Sequence, residues 1–167
     1  MKLGIDVGGV IIKAGDRNIP NSDTFLFRED YTNSPAVDGV LEMLPRLHKE
    51  FELYIISKCG RKIELRTRDW LKAHKVDLLI SEDRWNFCKR RHEKAPIAET
   101  LVLDCFIDDR LQVLSYMSSV KHKFLFQPRP EEVEEWKHIL KSVTVVNSWS
   151  ELTDKLLRIS QSINRSL

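Results

Sequence analysis

Short apolar runs alternate along the chain with longer stretches in which apolar residues recur every three or four positions. The short runs are rich in β-branched residues and have the length of strands, whereas the longer spacing is typical of helices with one buried face. Strands are predicted at residues 2–7, 52–57, 77–81, 102–108, 121–126 and 142–146. Nearly all-apolar strands separated by helices indicate a parallel sheet covered on both faces. The pattern therefore predicts a three-layer, Rossmann-like α/β domain with a mainly parallel sheet of five or six strands.

Helices are predicted between these strands from apolar residues at helical spacing. The first is expected to open at Ser34 and Pro35, which suit an N-cap and a first helical turn, and to be kinked by Pro45. Pro130 and Ser148 mark the openings of the last two helices. After the first helix, the predicted ranges are residues 61–74, 95–101, 110–119, 130–140 and 149–160.

Residues 13–33 interrupt the alternation of strands and helices. Glycine, proline, asparagine and aspartate mark turns in this stretch, and Phe25, Phe27 and Tyr31 are its expected anchors. A short flap or hairpin is therefore predicted there. Since no linker, repeat or low-complexity segment divides the rest, residues 1–160 are predicted to form one domain, followed by a flexible tail over 161–167.

Composition places the chain among ordinary globular proteins. Its 167 residues include 27 basic and 25 acidic side chains, a net charge of +2 that does not argue for a nucleic-acid partner. No apolar run reaches the roughly 18 residues of a membrane span, and the first residues lack the pattern of a signal peptide, so a cytoplasmic location without a membrane partner is expected. Three widely spaced cysteines, Cys59, Cys88 and Cys105, favour reduced thiols over a disulfide framework.

Polar residues suited to phosphate or metal chemistry lie at the ends of three predicted strands. Asp6, Ser57 and the pair Asp108 and Asp109 occupy these positions. In open parallel sheets ligands bind outside the carboxyl ends of the strands, so these side chains are expected to meet in one crevice. Three carboxylates together need a cation, and Mg²⁺ suits them better than zinc because no histidine or cysteine lies at matching spacing.

The same residues offer the groups that phosphoryl transfer needs. Asp6 can attack phosphorus and form an aspartyl-phosphate, while Ser57 and the ammonium of Lys94 can stabilise the charge of the phosphoryl oxygens. Lys89, Arg90 and Arg91 lie close to Lys94 in the sequence, but Lys94 opens the helix before the fourth predicted strand and is preferred. Arg110, directly after the acidic pair, is expected to be a surface ion-pair partner.

The segments LGIDVGGV, YIIS, Lys94 and CFIDDR resemble, in this order, the four motifs of the haloacid dehalogenase-like hydrolase superfamily. The resemblance runs from the first residue to about Phe126. It implies a Mg²⁺-dependent hydrolase, most often a phosphatase, in which Asp6 is the nucleophile and a metal ligand. By the same match, Ser57 and Lys94 are catalytic and bind the phosphoryl group.

The remaining implied ligands of the Mg²⁺ ion are Asp108, Asp109 and the main-chain carbonyl of Gly8. Gly8 also departs from the family pattern, because phosphatases of the superfamily usually carry there a second Asp that serves as general acid and base. Such catalysis contributes about 10²- to 10⁴-fold. The glycine therefore predicts a slow phosphatase or, as an alternative, a catalytically impaired regulatory protein that binds phosphate or a phosphorylated ligand.

The substrate is expected to be a phosphorylated small molecule or an exposed phosphate on a macromolecule, because no segment is long enough for a large cap domain. Asp16, Asp23, Glu29 and Asp30 in the predicted flap are candidates to replace the missing acid.

A further alternative is a nucleic-acid end-processing module, suggested by the basic and aromatic segment 84–91. Trp85 and Phe87 of that segment are interpreted instead as core anchors. The i, i+4 pair Cys88 and His92 is interpreted as a chance spacing rather than a metal site.

Overall fold

The computed structural model describes residues 1–15 and 25–165, whose strands form one fully parallel six-stranded sheet. Along the sheet the strands follow the order β3-β2-β1-β4-β5-β6. They are β1 (Lys2–Ile5), β2 (Glu52–Lys58), β3 (Trp85–Cys88), β4 (Cys105–Asp108), β5 (His122–Phe126) and β6 (Thr144–Val146). The predicted α/β, three-layer, Rossmann-like architecture is confirmed.

Six α-helices of the described residues cover both faces of the sheet. They are α1 (Val40–His48), α2 (Arg61–Ala73), α3 (Lys94–Leu101), α4 (Leu111–Tyr116), α5 (Pro130–Glu135) and α6 (Trp149–Asn164). Buried residues of α1, α2 and α6 share one core with Leu53 and Ile55 of β2. Those of α3 and α4, with part of α5, pack with Tyr54 and Ile56, the alternate side chains of that strand. None of these helices is long and apolar enough to cross a membrane.

The third strand lies eight residues later than predicted. Residues 77–81 do not form a strand, because Val76–Leu78 is a 3₁₀ turn in which Leu78 is 73% exposed. Val76 and Ile80 are buried four residues apart, which is helical rather than strand spacing. The strand that pairs with β2 is instead Trp85–Cys88, within the basic and aromatic segment 84–91.

The first helix begins at Val40, six residues after the predicted N-cap. The hydroxyl of Ser34 donates to the carbonyl of Tyr31, and the carbonyl of Pro35 accepts from the backbone N–H of Lys13. Ala36 pairs with Ile12 in an antiparallel bridge. The segment from 34 to 36 is therefore extended by its pairing with the chain that follows β1.

The predicted flap over 13–33 lies partly outside the described residues, which exclude 16–24. Its described part contains the 3₁₀ turns Phe25–Phe27 and Tyr31–Asn33. Phe27 is 57% exposed and is not the anchor that the sequence predicts; Leu26 is buried in its place. Arg66 of α2 donates to the carbonyl of Leu26 over 2.8 Å.

The later helices begin near their predicted starts but end elsewhere. Helix α4 ends at Tyr116, and α5 ends at Glu135 before a separate 3₁₀ turn at Leu140–Ser142. Ser148 caps α6 by accepting from the N–H of Glu151, as predicted. Helix α6 continues to Asn164, so much of the predicted flexible tail is helical.

Trp149 of α6 anchors the loop that follows β1. Its indole is fully buried, and its Nε1–H donates to the carbonyl of Val10 over 2.8 Å. The N–H groups of Val10, Ile11 and Ile12 all bond to the carbonyl of Val7. The loop directly after Asp6 is therefore fixed by its own backbone and by the last helix.

Replacing Trp149 with phenylalanine should lower the free energy of unfolding by about 1–3 kcal/mol, because the carbonyl of Val10 loses its donor in a buried site. Urea denaturation measures the change. The matched control is Trp136→Phe, at a partly exposed indole on the other face, where a smaller loss is expected. Equal losses in the two variants would show that the bond to Val10 does not anchor the loop.

Candidate active site

The carboxyl ends of β1, β2 and β4 bring the predicted site residues together. Ile5 of β1 pairs with Ile55 of β2 on one side and with Ile107 of β4 on the other, so the residues that follow these positions lie at one edge of the sheet. Asp6, Ser57, Lys94 and Asp109 line one cavity of about 230 Å³ there, together with Gly8. The cavity lies where the strand order reverses around β1, which is where parallel sheets bind ligands.

The ammonium of Lys94 lies between two carboxylates. Its Nζ is 2.8 Å from Oδ1 of Asp6 and 2.7 Å from Oδ2 of Asp108, and its side chain is 3% exposed. Burial alone would lower the pKa of Lys94, but the charges of Asp108 and Asp6 outweigh burial and raise it. Lys94 is therefore a permanently charged part of the site.

Asp108 is completely buried and uses both carboxylate oxygens in hydrogen bonds. Oδ2 accepts from Lys94, and Oδ1 accepts from the backbone N–H of Arg110 over 2.9 Å. Burial raises the pKa of Asp108 against the opposing charge of Lys94, and the carboxylates of Asp6 and Asp109 add to the rise. The geometry makes Asp108 the residue that holds Lys94 in place.

Asp109 has a partner that the sequence reasoning missed. Nη2 of Arg129 donates to Oδ2 of Asp109 over 3.0 Å, and Nε of Arg110 lies 4.0 Å from Oδ1. Burial raises the pKa of Asp109, as does the charge of Asp6, while Arg129 and Arg110 oppose the rise. A signal for Arg129 was available, since it lies between Pro128 and Pro130, three residues after β5 and thus near the same edge of the sheet.

The three carboxylates fit a divalent cation. Asp6, Asp108 and Asp109 each offer one oxygen, and these oxygens lie within 4.8 Å of one another. Hard oxygen donors of this kind suit Mg²⁺. Within residues 1–15 and 25–165 this is the one group of three or more such ligands, and it does not include Cys88 or His92.

The two glycines after Asp6 differ in the space around them. Gly9 has a φ of +79°, and a Cβ placed on it would lie 2.6 Å from Oδ2 of Asp109, so a side chain is excluded there. A Cβ on Gly8 would meet no heavy atom within 4 Å. The position to which the sequence resemblance assigns the acid therefore has free space around it among the described residues.

The other sequence candidates have different surroundings. Ser57 is buried at the cavity wall, and the hydroxyl-bearing Thr67 of α2, which the sequence reasoning missed, lines the same wall. Glu29 and Asp30, proposed as substitute acids, are not among the residues that line the cavity. The other two candidates, Asp16 and Asp23, lie outside the described residues.

The segment 84–91 contributes packing at this end of the sheet. Trp85 is buried and donates from its indole to the carbonyl of Ile80, and Phe87 packs against the core, so the interpretation as core anchors is confirmed. The guanidinium of Arg68 lies 4.8 Å from the centre of the Phe87 ring. Arg91 at the end of the segment lines the cavity. Arg110 lies near Asp109 and Glu132, as expected of an ion-pair partner, and also lines the cavity.

The substitution Gly9→Ala should destabilise the chain by about 1–3 kcal/mol, because an alanine at this φ is strained and its Cβ displaces Asp109. Denaturant unfolding measures the loss. Gly8→Ala is the control, with an expected change of about 0.5 kcal/mol or less. A similar effect at both positions would contradict the close approach of Gly9 to Asp109.

Mg²⁺ should raise the melting temperature. At a concentration 100 times its dissociation constant, binding stabilises by about 2.7 kcal/mol, which corresponds to roughly 5–10 °C for a chain of this size. Because burial raises the pKa of Asp109, protons compete with Mg²⁺ for this carboxylate more strongly than they would at an exposed one. The rise in melting temperature that Mg²⁺ causes should therefore shrink as the pH is lowered. Thermal scans of the native chain and Asp109→Asn test this, and an equal shift in both would refute the site.

Three solved structures share this architecture. A haloacid dehalogenase-like family hydrolase from Xanthomonas campestris is 10% identical over 98% of this chain and 97% of that chain, with a TM-score of 0.60. A protein from Burkholderia xenovorans LB400, named as a haloacid dehalogenase-like hydrolase, is 16% identical over 77% of this chain and 62% of its own, with a TM-score of 0.55. DsGPDH of Dunaliella salina is 17% identical over 90% of this chain and 28% of its own, with a TM-score of 0.62.

No protein-family model and no curated protein matches the sequence. At identities of 10% to 17% the likeness to solved structures concerns the fold. The order of the strand-end motifs predicts the same fold independently. The chain therefore has the fold of the haloacid dehalogenase-like hydrolases.

Proposed function

We propose that the protein is a Mg²⁺-dependent phosphohydrolase of the haloacid dehalogenase-like type, in which Asp6 attacks the phosphorus of a phosphate ester. The observation that carries this proposal is the contact of Asp6 with the buried ammonium of Lys94, beside Asp109, in a cavity at the carboxyl ends of the strands. The fold and the order of the motifs support the same reaction.

Asp6 is held in an orientation suited to nucleophilic attack. Lys94 donates to its Oδ1, which leaves Oδ2 without a hydrogen-bond partner among the described residues and available to attack phosphorus. Attack forms the bond between Oδ2 and phosphorus and breaks the bond between phosphorus and the ester oxygen. The charge of Lys94 and the hydroxyl of Ser57 stabilise the phosphoryl oxygens as their negative charge is redistributed.

The carboxylates of Asp6 and Asp109, with the carbonyl of Gly8, are the proposed ligands of the Mg²⁺ ion. Asp108 offers a further oxygen, although both of its oxygens accept hydrogen bonds and its first role is to hold Lys94. When bound, the ion would neutralise charge on the carboxylates and on the phosphoryl group. Asp109 and Lys94 are both buried, so the protein shields one side of the site from solvent.

The second half of the reaction is hydrolysis of the phosphorylated Asp6. Water attacks the phosphorus, the bond between phosphorus and Oδ2 of Asp6 breaks, and the proton of the water passes to solvent as the carboxylate of Asp6 is restored. Among the described residues that line the cavity, Asp6 and Asp109 are the only carboxylic acids, and both already have other roles. With glycine at position 8 no free carboxylic acid among the described residues of the lining can protonate the leaving group, so esters with acidic leaving groups should react fastest.

A second candidate function is a phosphate-binding regulatory protein without efficient turnover. The open space at Gly8 supports this alternative, because Ser57 and Lys94 line the cavity while no described residue stands in for the acid and base at that position. Such a protein would bind phosphate in the presence of Mg²⁺ and release it unchanged. The two functions differ in one measurable property, which is multiple turnover.

Hydrolysis of para-nitrophenyl phosphate tests the proposal, because its leaving group hardly needs the missing acid. The native chain should hydrolyse it only with Mg²⁺, and Asp6→Asn should reduce the rate by at least about 10³-fold while keeping the fold. Circular dichroism and the melting temperature confirm that the variant is folded. Turnover that survives the substitution in a clean preparation would contradict Asp6 as nucleophile.

Gly8→Asp, measured in the same assay, separates the two candidates. If the native chain is active and the variant gains rate, the protein is a hydrolase that the glycine slows. If the native chain is inactive and the variant is active, the site is assembled but lacks its acid, and the binding protein is the correct function.

A further inference from the structure

A second cavity of about 370 Å³ adjoins the cavity that holds Asp6. The two share three arginines, Arg91, Arg110 and Arg129, which therefore form the wall between them. Arg91 and Arg129 lie outside the four motif segments, and Arg110 directly follows the acidic pair of the fourth. Building on the proposed function, we propose that this arginine wall binds a second oxyanion of the substrate, a carboxylate or a phosphate, so that the substrate is a small phosphate ester with another anionic group close to the reacting one.

The arginines have unused hydrogen-bond donors. Nη2 of Arg129 bonds to Asp109, but its Nε is buried and has no partner among the described residues. Nη1 of Arg91 donates to Gln112 over 3.0 Å. Arg110 lies 4.0 Å from Asp109 and 3.8 Å from Glu132, both too far for a hydrogen bond. Since each guanidinium has five N–H groups, most of these donors are left for a ligand.

The charge of the first cavity also exceeds what one phosphate needs. Its lining has three more basic than acidic side chains; the basic ones are Lys58, Arg91, Lys94, Arg110 and Arg129, and the acidic ones are Asp6 and Asp109. A phosphate monoester carries a charge of about −1.5 to −2 at neutral pH. Asp108, in contact with Lys94, offsets one of these charges. With the proposed Mg²⁺ ion bound, positive charge therefore remains after the reacting group is bound, and planar guanidinium groups pair well with carboxylate or phosphate oxygens.

Acidic side chains in the second cavity limit the size of the anion. Glu131, Glu132 and Glu135 of α5 line this cavity together with Trp136, and Oε2 of Glu132 lies 3.8 Å from Nη1 of Arg110. An oligonucleotide that continued through this cavity would place phosphates beside the three glutamates, at a cost in repulsion. The second oxyanion therefore lies at the arginine wall, and the arrangement favours a small substrate over a nucleic-acid end.

Two matched ligand pairs test the inference by calorimetry, with the Asp6→Asn chain and Mg²⁺ so that no ligand is consumed. 3-Phosphoglycerate and glycerol 3-phosphate differ by a carboxylate, and fructose 1,6-bisphosphate and fructose 6-phosphate differ by a phosphate. In at least one pair the ligand with the second anion should bind about tenfold more tightly or better. The pair that shows the preference identifies the anion.

Arg110→Gln and Arg91→Gln, each added to Asp6→Asn, should reduce this preference to about twofold or less. Arg91 is exposed, and its guanidinium hydrogen-bonds to Gln112, so its variant should fold normally. Arg158→Gln, on the exposed face of α6, is the control and should keep the preference.

Equal affinity within both pairs, no binding of any ligand, or a preference that survives both arginine substitutions would overturn the inference. Turnover of para-nitrophenyl phosphate by the native chain reports on the proposed function separately. Turnover without a second-anion preference therefore defeats only the inference. Tighter binding of the ligand with the second anion, without turnover, supports the inference about the arginine wall and favours the phosphate-binding regulatory protein over the hydrolase.

Discussion

The site depends on one buried interaction, the contact of the Lys94 ammonium with the carboxylates of Asp6 and Asp108. A buried charge is tolerated only when it is paired, so the three groups require one another. Lys94 and the Arg129 guanidinium are hydrogen-bonded to the three carboxylates of the site and balance two of their three charges. Arg110, 4.0 Å from Asp109, is a third cation near these carboxylates. The reason to expect a metal is therefore the set of three hard oxygen donors that lie within 4.8 Å of one another.

The fold produces this contact through the order of its strands. Because β1 lies between β2 and β4, the residues after all three strands meet at one edge, and α3 brings Lys94 to the same place from the other side of the sheet. The loop after β1 is held by Trp149, which belongs to the last helix. Residues far apart in the sequence therefore fix the position of the nucleophile.

The sequence predicts the centre of the site better than its walls. Asp6, Ser57 and the acidic pair follow apolar strands, and apolar strands can be recognised from a single chain. The sequence pattern does not predict β3, because its two core residues, Trp85 and Phe87, alternate over only four positions next to a run of basic residues. Val76 and Ile80 belong to an apolar segment that was predicted as the strand but does not form one.

Arg129 lies three residues after β5, so its place near this edge of the sheet can be predicted, but its hydrogen bond to Asp109, 20 residues earlier in the chain, has no signal in the sequence. The same is true of the wall that Arg129 forms with two other arginines. Side chains that follow strands are predictable from strand patterns, whereas side chains that act through tertiary contacts are found only in the fold.

Chemical trapping of the phosphorylated nucleophile tests the central claim most directly. The native chain is mixed with para-nitrophenyl phosphate and Mg²⁺, quenched and reduced with borohydride, which converts an aspartyl-phosphate to homoserine that peptide mass spectrometry detects. Conversion is expected at Asp6, only when both substrate and Mg²⁺ are present. Turnover with no conversion at Asp6, or conversion at a different aspartate, would contradict the assignment of Asp6 as the nucleophile.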